Sequence, residues 1–257
     1  MPRIIASVQI RMTSERLPGK SLMLLDGMPL LALLLERVGR SKKIDGIVVG
    51  TPVDKRNDPI ETLCKNHNIP CFRGPEDDVL ERMLGALTLA KADIGLQVYG
   101  DSPLIDRDII DMLIDEYQKG GNDWVGNDLV HTFPSGQFLE VFSMEALRES
   151  AKKTNDIAIR EHGTLFIRKN PGMFRLKNIE AKELWHRPDL HFDVDTAEDL
   201  AVIDALMKHF APRRNFSLEE MIAFIDSHPQ IATGNASVHR RWKEHQPDGP
   251  SKQNKSL

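Results

Sequence analysis

Three cations stand within ten residues of one another near the N-terminus. Arg11, Arg16 and Lys20 lie in the string Q-I-R-M-T-S-E-R-L-P-G-K over residues 9–20, with Ser14 and Gly19 between them. A triphosphate calls for this combination: cations for its charge, and small residues that let a hydroxyl and backbone amides approach its oxygens. The string is not a Walker A sequence, since G-x-x-x-x-G-K-[ST] is absent. On composition alone, a solvated basic loop between a strand and a helix is an equal reading. Carboxylates recur further along. Asp101 follows an apolar run in V-Y-G-D-S-P-L-I (98–105), and Gly100 beside it admits a phosphate or a metal close to the backbone. A turn Asp opening a helix is the plainer alternative. In H-F-D-V-D-T-A-E-D-L (191–200), an extended strand would turn Asp193 and Asp195 to one face, where a divalent cation is a natural partner for two like charges. Here the plainer reading is one helix cap and one solvated strand residue. Together, cations and carboxylates suit attack on the α-phosphorus of a nucleoside triphosphate, which needs positioning and charge stabilisation more than covalent help.

The elements that must hold these residues are legible in part. R-I-I-A-S-V (3–8) predicts a buried strand leading into the basic loop, and Pro29 opens a helix with a broad apolar face from Leu30 to Val38. Strands over 44–51, 70–73 and 94–98 alternate with helices over 60–66, 76–91 and 106–119. That alternation predicts a mostly parallel sheet with helices on both faces. Asp101 then falls past the C-terminal end of a central strand, where open α/β sheets bind ligands. Beyond residue 120 the pattern loosens: strands over 123–127, 138–142, 173–179 and 190–194, and helices over 144–153 and 156–169. Thr196 with Asp199 and Ser217 with Glu220 read as capping boxes for two last helices. Residues 1–243 are expected as one domain. Residues 244–257 (K-E-H-Q-P-D-G-P-S-K-Q-N-K-S-L begins one residue earlier) have too little apolar surface to fold alone and are expected to be a disordered tail.

The basic string resembles the R-x-x-S-x-R-L-P-G-K signature of the cytidylyltransferases that activate acidic sugars, a family including the 3-deoxy-manno-octulosonate and acylneuraminate enzymes and the SpsF-like spore coat polysaccharide proteins. The segment at Asp101 resembles that family's G-D-x-P-L-I, and the segment at Asp195 its V-D-T-P-E-D-L, with Ala197 in place of Pro. The resemblance covers residues 3 to about 209. It implies a single three-layer, Rossmann-like (GT-A-like) α/β domain. It also implies phosphate contacts from Arg11, Ser14, Arg16, Gly19 and Lys20, nucleotide contacts at Gln97 and Gly100, and Mg²⁺ on Asp101 and Asp195, with Asp193 a weaker ligand. Arg11, Arg16, Lys20 and Asp101 would form the catalytic set. N-D-L-V-H-T-F-P-S-G-Q-F-L-E (127–140) resembles a stretch over the acceptor pocket, and R-E-H (160–162) a second motif of the SpsF-like group. By position, His131, Gln137, Glu140, Arg160 and His162 would meet an acidic acceptor, although an ordinary loop and a charged helix turn are the structural alternatives. The chain departs from the family at Gln97, Tyr99, Gly136-Gln137-Phe138, Gly163 and Leu165. All flank the base and acceptor pockets, so the resemblance defines the phosphate chemistry more narrowly than the base or the acceptor.

The bulk numbers agree with an ordinary globular protein. Of 257 residues, 40% are hydrophobic and 28% charged, and 34 Lys and Arg against 38 Asp and Glu leave a net charge of −4. That balance opposes a dedicated nucleic-acid binder. Cys64 and Cys71 form no zinc set, which leaves two free thiols. No membrane span or signal peptide is apparent, so a cytoplasmic location is expected. The resulting expectation is a homodimeric, Mg²⁺-dependent enzyme that takes CTP and an acidic sugar to a CMP-sugar and pyrophosphate. The rivals are another NTP or a phosphate- or phosphonate-bearing acceptor on the same fold, a glycosyltransferase using a preformed nucleotide sugar, and a non-catalytic nucleotide-binding module.

Overall fold

The computed structural model describes residues 2–239; the expected tail over 244–257 lies outside them. Strand β1 (Ile4–Gln9) is central. It pairs in parallel with β4 (Gly46–Pro52) on one side and β6 (Ile94–Tyr99) on the other. The order across the sheet, among the described residues, is β5 (Cys71–Gly74), β4, β1, β6, β8 (Leu139–Ser143), β7 (Trp124–Gly126), β9 (Leu176–Asn178). Strand β8 runs antiparallel to both of its neighbours and the other pairs are parallel. A small hairpin, β2 (Leu24–Leu25) with β3 (Met28–Pro29), leads into α1 (Leu30–Val38). Pro29 is therefore the residue before the helix rather than its first.

Strand alternation sorts the core into two layers. Ile4, Ala6 and Val8, with Leu96, Val98, Leu139 and Val141, face one side and join side chains of α1, α2 (Asp58–Asn66), α4 (Arg107–Gln118), α8 (Ala197–Phe210) and α9 (Leu218–Ser227). Ile5, Val48 and Phe142 face the other, under α3 (Val79–Leu89), α5 (Met144–Lys153) and α7 (Leu165–Lys169). This is the expected three-layer α/β arrangement. Helix α1 buries all five of its leucines, each worth roughly 1.5–3 kcal/mol as an upper bound. No helix among the described residues is long and apolar enough to cross a membrane.

Three local expectations change. The helix predicted over 156–169 breaks into α6 (Ile157–Arg160) and α7, with Gly163 between them. A Cβ there would lie 2.6 Å from the Met83 methyl, so the turn between them sits close against α3. The strand predicted over 190–194 is an extended segment with a single bridge, His191 to Ser135. Its side chains nevertheless insert in the core through Leu190, Phe192 and Val194, which is why its sequence reads as a strand. Helix α3 starts at Val79, with Asp78 as its cap accepting from the Glu81 N–H at 2.8 Å. Both capping boxes, Thr196 with Asp199 and Ser217 with Glu220, form as expected.

Candidate active site

The C-terminal ends of β1 and β6 open into a cleft of about 290 Å³. The loop after β1 forms one wall. Gly19 sits at φ 75°, a left-handed conformation that glycine adopts without strain, and its N–H closes a turn onto the Met12 carbonyl at 3.0 Å. The Ser21 hydroxyl donates to the Arg11 carbonyl at 2.9 Å, and the Met12 N–H to Asn57 Oδ1 at 2.8 Å. Backbone and neighbours thus curl the loop so that Arg11, Ser14, Arg16 and Lys20 all line the cleft.

The opposite wall carries the carboxylates. Asp101 follows β6 after Gly100, and its carbonyl accepts from the Val194 N–H at 2.8 Å, which brings residues 193–195 alongside. Lys20 Nζ donates to the Val194 carbonyl at 2.6 Å and to Asp195 Oδ1 at 3.0 Å, and stands 3.6 Å from Asp101 Oδ2. Arg16 Nη2 donates to Asp195 Oδ2 at 2.6 Å. Two loops separated by well over a hundred residues in sequence therefore meet as paired charges. Burial alone would lower the Lys20 pKa, but Asp101, Asp195 and Asp193 together raise it above its ordinary value. Burial raises the Asp101 pKa, and Asp195 adds to that, while Lys20 opposes both. Asp193 is buried, at 5% exposure, and its charge also reaches Lys20.

The close approach at Gly100 is real: a Cβ there would lie 2.5 Å from the Gln9 carbonyl oxygen. Only glycine lets the Asp101 turn pack so tightly on β1. His162 lines the cleft as well. The remaining expected contacts lie elsewhere. Gln137 is fully buried: its Oε1 accepts from the Asp106 N–H at 2.9 Å and its Nε2 donates to the Leu104 carbonyl at 3.0 Å. It braces the loop that carries Asp101. Glu140 is also fully buried and accepts from Tyr99 Oη at 2.6 Å, Trp124 Nε1 at 2.7 Å and the Thr164 hydroxyl. Arg160 ties α6 to the start of α3, donating to Asp78 Oδ2 at 2.7 Å and to the Thr154 carbonyl at 2.9 Å. Gln97 is buried beneath Gly163, and the His131 ring packs 4.6 Å from that of Phe138. None of these five, nor Gly19, lines the cleft.

Other residues take their places. Glu76 accepts from the Thr13 hydroxyl at 2.6 Å and lies 3.8 Å from Arg11 Nη1. Arg82 donates to Gln9 Oε1 at 2.9 Å and to the carbonyls of Pro75 and Glu76 at 2.6 and 2.9 Å. Burial and the neighbouring Arg11 pull its pKa down to about 10. Tyr99 and Glu161 complete the floor and rim. In sequence, Glu76 and Arg82 look like a polar helix start, and nothing local ties them to a loop some 60 residues earlier.

Among the described residues, no group of three or more His, Cys, Asp and Glu side chains converges as a metal cage. The donor set still suits Mg²⁺, which typically takes one or two carboxylates and completes its shell with water and substrate phosphate. Asp101 and Asp195 already converge on a single cation, Lys20 Nζ.

A mostly parallel sheet whose strand ends present cations opposite carboxylates is the arrangement of an α/β nucleotidyltransferase. The family described as cytidylyltransferase matches residues 5–230, and the chain belongs to it. It is 31% identical to the spore coat polysaccharide biosynthesis protein SpsF of Bacillus subtilis (strain 168), over 91% of this chain and 98% of that protein. A cytidylyltransferase structure from Leptospira borgpetersenii superposes with TM-score 0.86 at 27% identity, covering 93% of this chain and all of that one. A CMP:2-keto-3-deoxy-manno-octonic acid synthetase solved with CTP shares the fold, with TM-score 0.61 at 17% identity over 80% of this chain and 99% of that one.

Proposed function

We propose that the enzyme transfers a cytidylyl group from CTP to an acidic sugar, giving a CMP-sugar and pyrophosphate for cell-surface polysaccharide synthesis. The observation that carries this reading is the meeting of Arg16 and Lys20 with Asp195 and Asp101 at 2.6–3.6 Å across one cleft. Cations alone would suit any anion. Cations interleaved with carboxylates suit a triphosphate that arrives with a divalent metal. The names of two relatives, a polysaccharide biosynthesis protein and a synthetase holding CTP, support the direction.

In the proposed reaction an acceptor hydroxyl oxygen attacks the α-phosphorus and its proton passes to solvent. The bond from that phosphorus to the bridging oxygen breaks, and pyrophosphate leaves with the electron pair. Arg11, Arg16 and Lys20 hold the leaving group, and Ser14 adds a hydroxyl donor. Such preoriented donors count most where charge develops. Asp101 and Asp195 would hold Mg²⁺, which supplies charge neutralisation at the phosphates. Glu76 keeps the Arg11 side of the loop in place through Thr13.

Pyrophosphate release, followed with each of the four NTPs, Mg²⁺ and a panel of acidic sugars, tests the reading. Release is expected with CTP and is expected to disappear in Asp101→Asn. Arg16→Ala is expected to weaken CTP binding on the order of 10- to 100-fold, the worth of one or two charge-assisted hydrogen bonds. No turnover with any pair of substrates, together with unchanged CTP binding in Arg16→Ala, would sink it.

A further inference from the structure

The family match ends at residue 230, yet the chain beyond it returns to the phosphate loop. Helix α10 (Pro229–Thr233) is followed by a turn that delivers Asn235, which is 2% exposed. A side-chain amide so buried has to be placed on acceptors. Its Nδ2 donates to Asp199 Oδ1 at 2.9 Å and to the His191 carbonyl at 3.2 Å. Those acceptors mark the two ends of the segment carrying Asp193 and Asp195. The other oxygen of Asp199 accepts from the N–H groups of Asp195 and Thr196, at 3.0 and 2.9 Å. One amide therefore clamps the acidic segment at its entrance and, through Asp199, at its exit. A few residues further on, the His239 carbonyl accepts from Arg16 Nη1 at 2.9 Å, while Nη2 of the same guanidinium holds Asp195.

We propose that Asn235 is a positioning residue for nucleotidyl transfer, holding Asp195 at the place where Arg16, Lys20 and the incoming triphosphate with its metal must meet. This rests on the triphosphate reading of the cleft. Asp195 sits on an irregular segment with one β-bridge among the described residues, and the Val194 N–H on the Asp101 carbonyl, at 2.8 Å, is the backbone tether just ahead of it. Arg16 and Lys20 both pull its carboxylate into the cleft. The backbone that bears it is held from behind by Asp199, and Asp199 in turn is oriented by Asn235. Without that amide the carboxylate can follow the cations, and the geometry offered to a bound metal and phosphate loosens. Removing a partner that orients a ligand carboxylate typically costs 10–100-fold in affinity or activity.

The test is calorimetric binding of CTP with Mg²⁺ to the full chain and its Asn235→Ala variant, with inorganic triphosphate as a probe that has no base. Both ligands are expected to bind on the order of tenfold more weakly to the variant, and kcat is expected to fall as KM rises, rather than KM alone rising. In the cycle with Arg16→Ala, the double variant is expected to lose less than the sum of the single losses, because both changes act on Asp195. A purely structural Asn235 predicts additivity. A folded variant that binds both ligands within about twofold of wild type, or full additivity in the cycle, overturns the proposal. Should Asn235→Ala fail to fold, Asn235→Leu, of similar size, uncharged and without amide donors, takes its place in the same measurements, and the same results support or overturn the proposal. A wild-type chain that binds neither ligand removes the triphosphate reading and this inference together. Normal wild-type binding with unaltered variants removes this inference alone.

Discussion

Lys20 works on two carboxylates at once. Its ammonium lies 3.0 Å from Asp195 and 3.6 Å from Asp101, so Lys20→Met leaves two acidic groups facing one another without the charge between them. The raised Lys20 pKa means that its stabilising charge is fully present below about pH 10. The pH dependence of the variant comes instead from Asp101, whose pKa burial raises and which loses the opposing charge of Lys20. The urea midpoint of Lys20→Met is therefore expected to fall further below wild type as pH rises from about 4 to about 7. A gap independent of pH would show that the carboxylates do not interact. Asp128 gives a second residue-scale case of opposite slope. Burial, with the nearby Glu140 charge, outweighs Arg168 at 2.6 Å and raises the Asp128 pKa to about 7. The folded state then holds a proton that the unfolded state has lost, and stability owed to Asp128 declines as pH rises from about 4 to about 7. Asp128→Asn is expected to gain on wild type across that window, whatever its offset from losing the ion pair. Parallel denaturation midpoints against pH check the slope.

Elements aim these residues by close backbone contact. Gly136 lies at φ +83°, and a Cβ there would be 2.5 Å from the Phe192 carbonyl carbon and 2.6 Å from the Asp193 nitrogen. The turn before β8 thus presses directly on the segment that leads to Asp195. Gly136→Ala is expected to cost about 2 kcal/mol or more in urea denaturation and to weaken CTP binding, although residue 136 touches no part of the cleft. Unaltered binding in a destabilised variant would separate the two effects and refute the mechanical link. Glu140, Gln137 and Arg160 belong to the same scale. Each is readable as a functional polar residue, since their family-like strings mark them. Each is spent on joining elements: Glu140 on β6, β7 and α7, Gln137 on the Asp101 loop, and Arg160 on α6 and α3. Polarity in a motif tells that a side chain needs partners, and a helix or a loop supplies them as readily as a substrate does.

Across the whole molecule, the segment over 211–227, with α9, is locked onto α1 by a buried cation. Arg37, 3% exposed, donates to the carbonyls of Ile105, Arg214 and Phe216 at 3.0, 2.7 and 3.0 Å and stacks 4.8 Å over the Phe216 ring. Burial lowers its pKa to about 10. Asp106, beside the Asp101 loop, accepts from the Leu218 N–H at the start of α9. Arg37→Met removes donors from three carbonyls and is expected to cost on the order of 3 kcal/mol. It is also expected to expose the segment over 211–227 to trypsin under native conditions. Proteolysis followed by mass spectrometry reads this out, and an intact 211–227 segment in a destabilised Arg37→Met would show that other contacts secure it.

Much of this molecule is open to reading along the chain. The central strands, the flanking helices, both capping boxes and the basic loop depend on residues close in sequence, where apolar periodicity and cap chemistry act. The membership of Arg11, Ser14, Arg16, Lys20, Asp101 and Asp195 in one cleft is also legible, because the motifs name them. What remains for the folded chain to settle involves partners far apart. Glu76 and Arg82 reach the basic loop from the start of α3, and Asn235 reaches Asp199 from beyond the last long helix. Residues 190–194 look like a strand because their apolar side chains alternate, yet the neighbouring strands are paired elsewhere and leave them one bridge. Local pattern records which way a side chain must face. Which distant backbone or charge meets it depends on how the layers pack, and that information is spread over the whole chain.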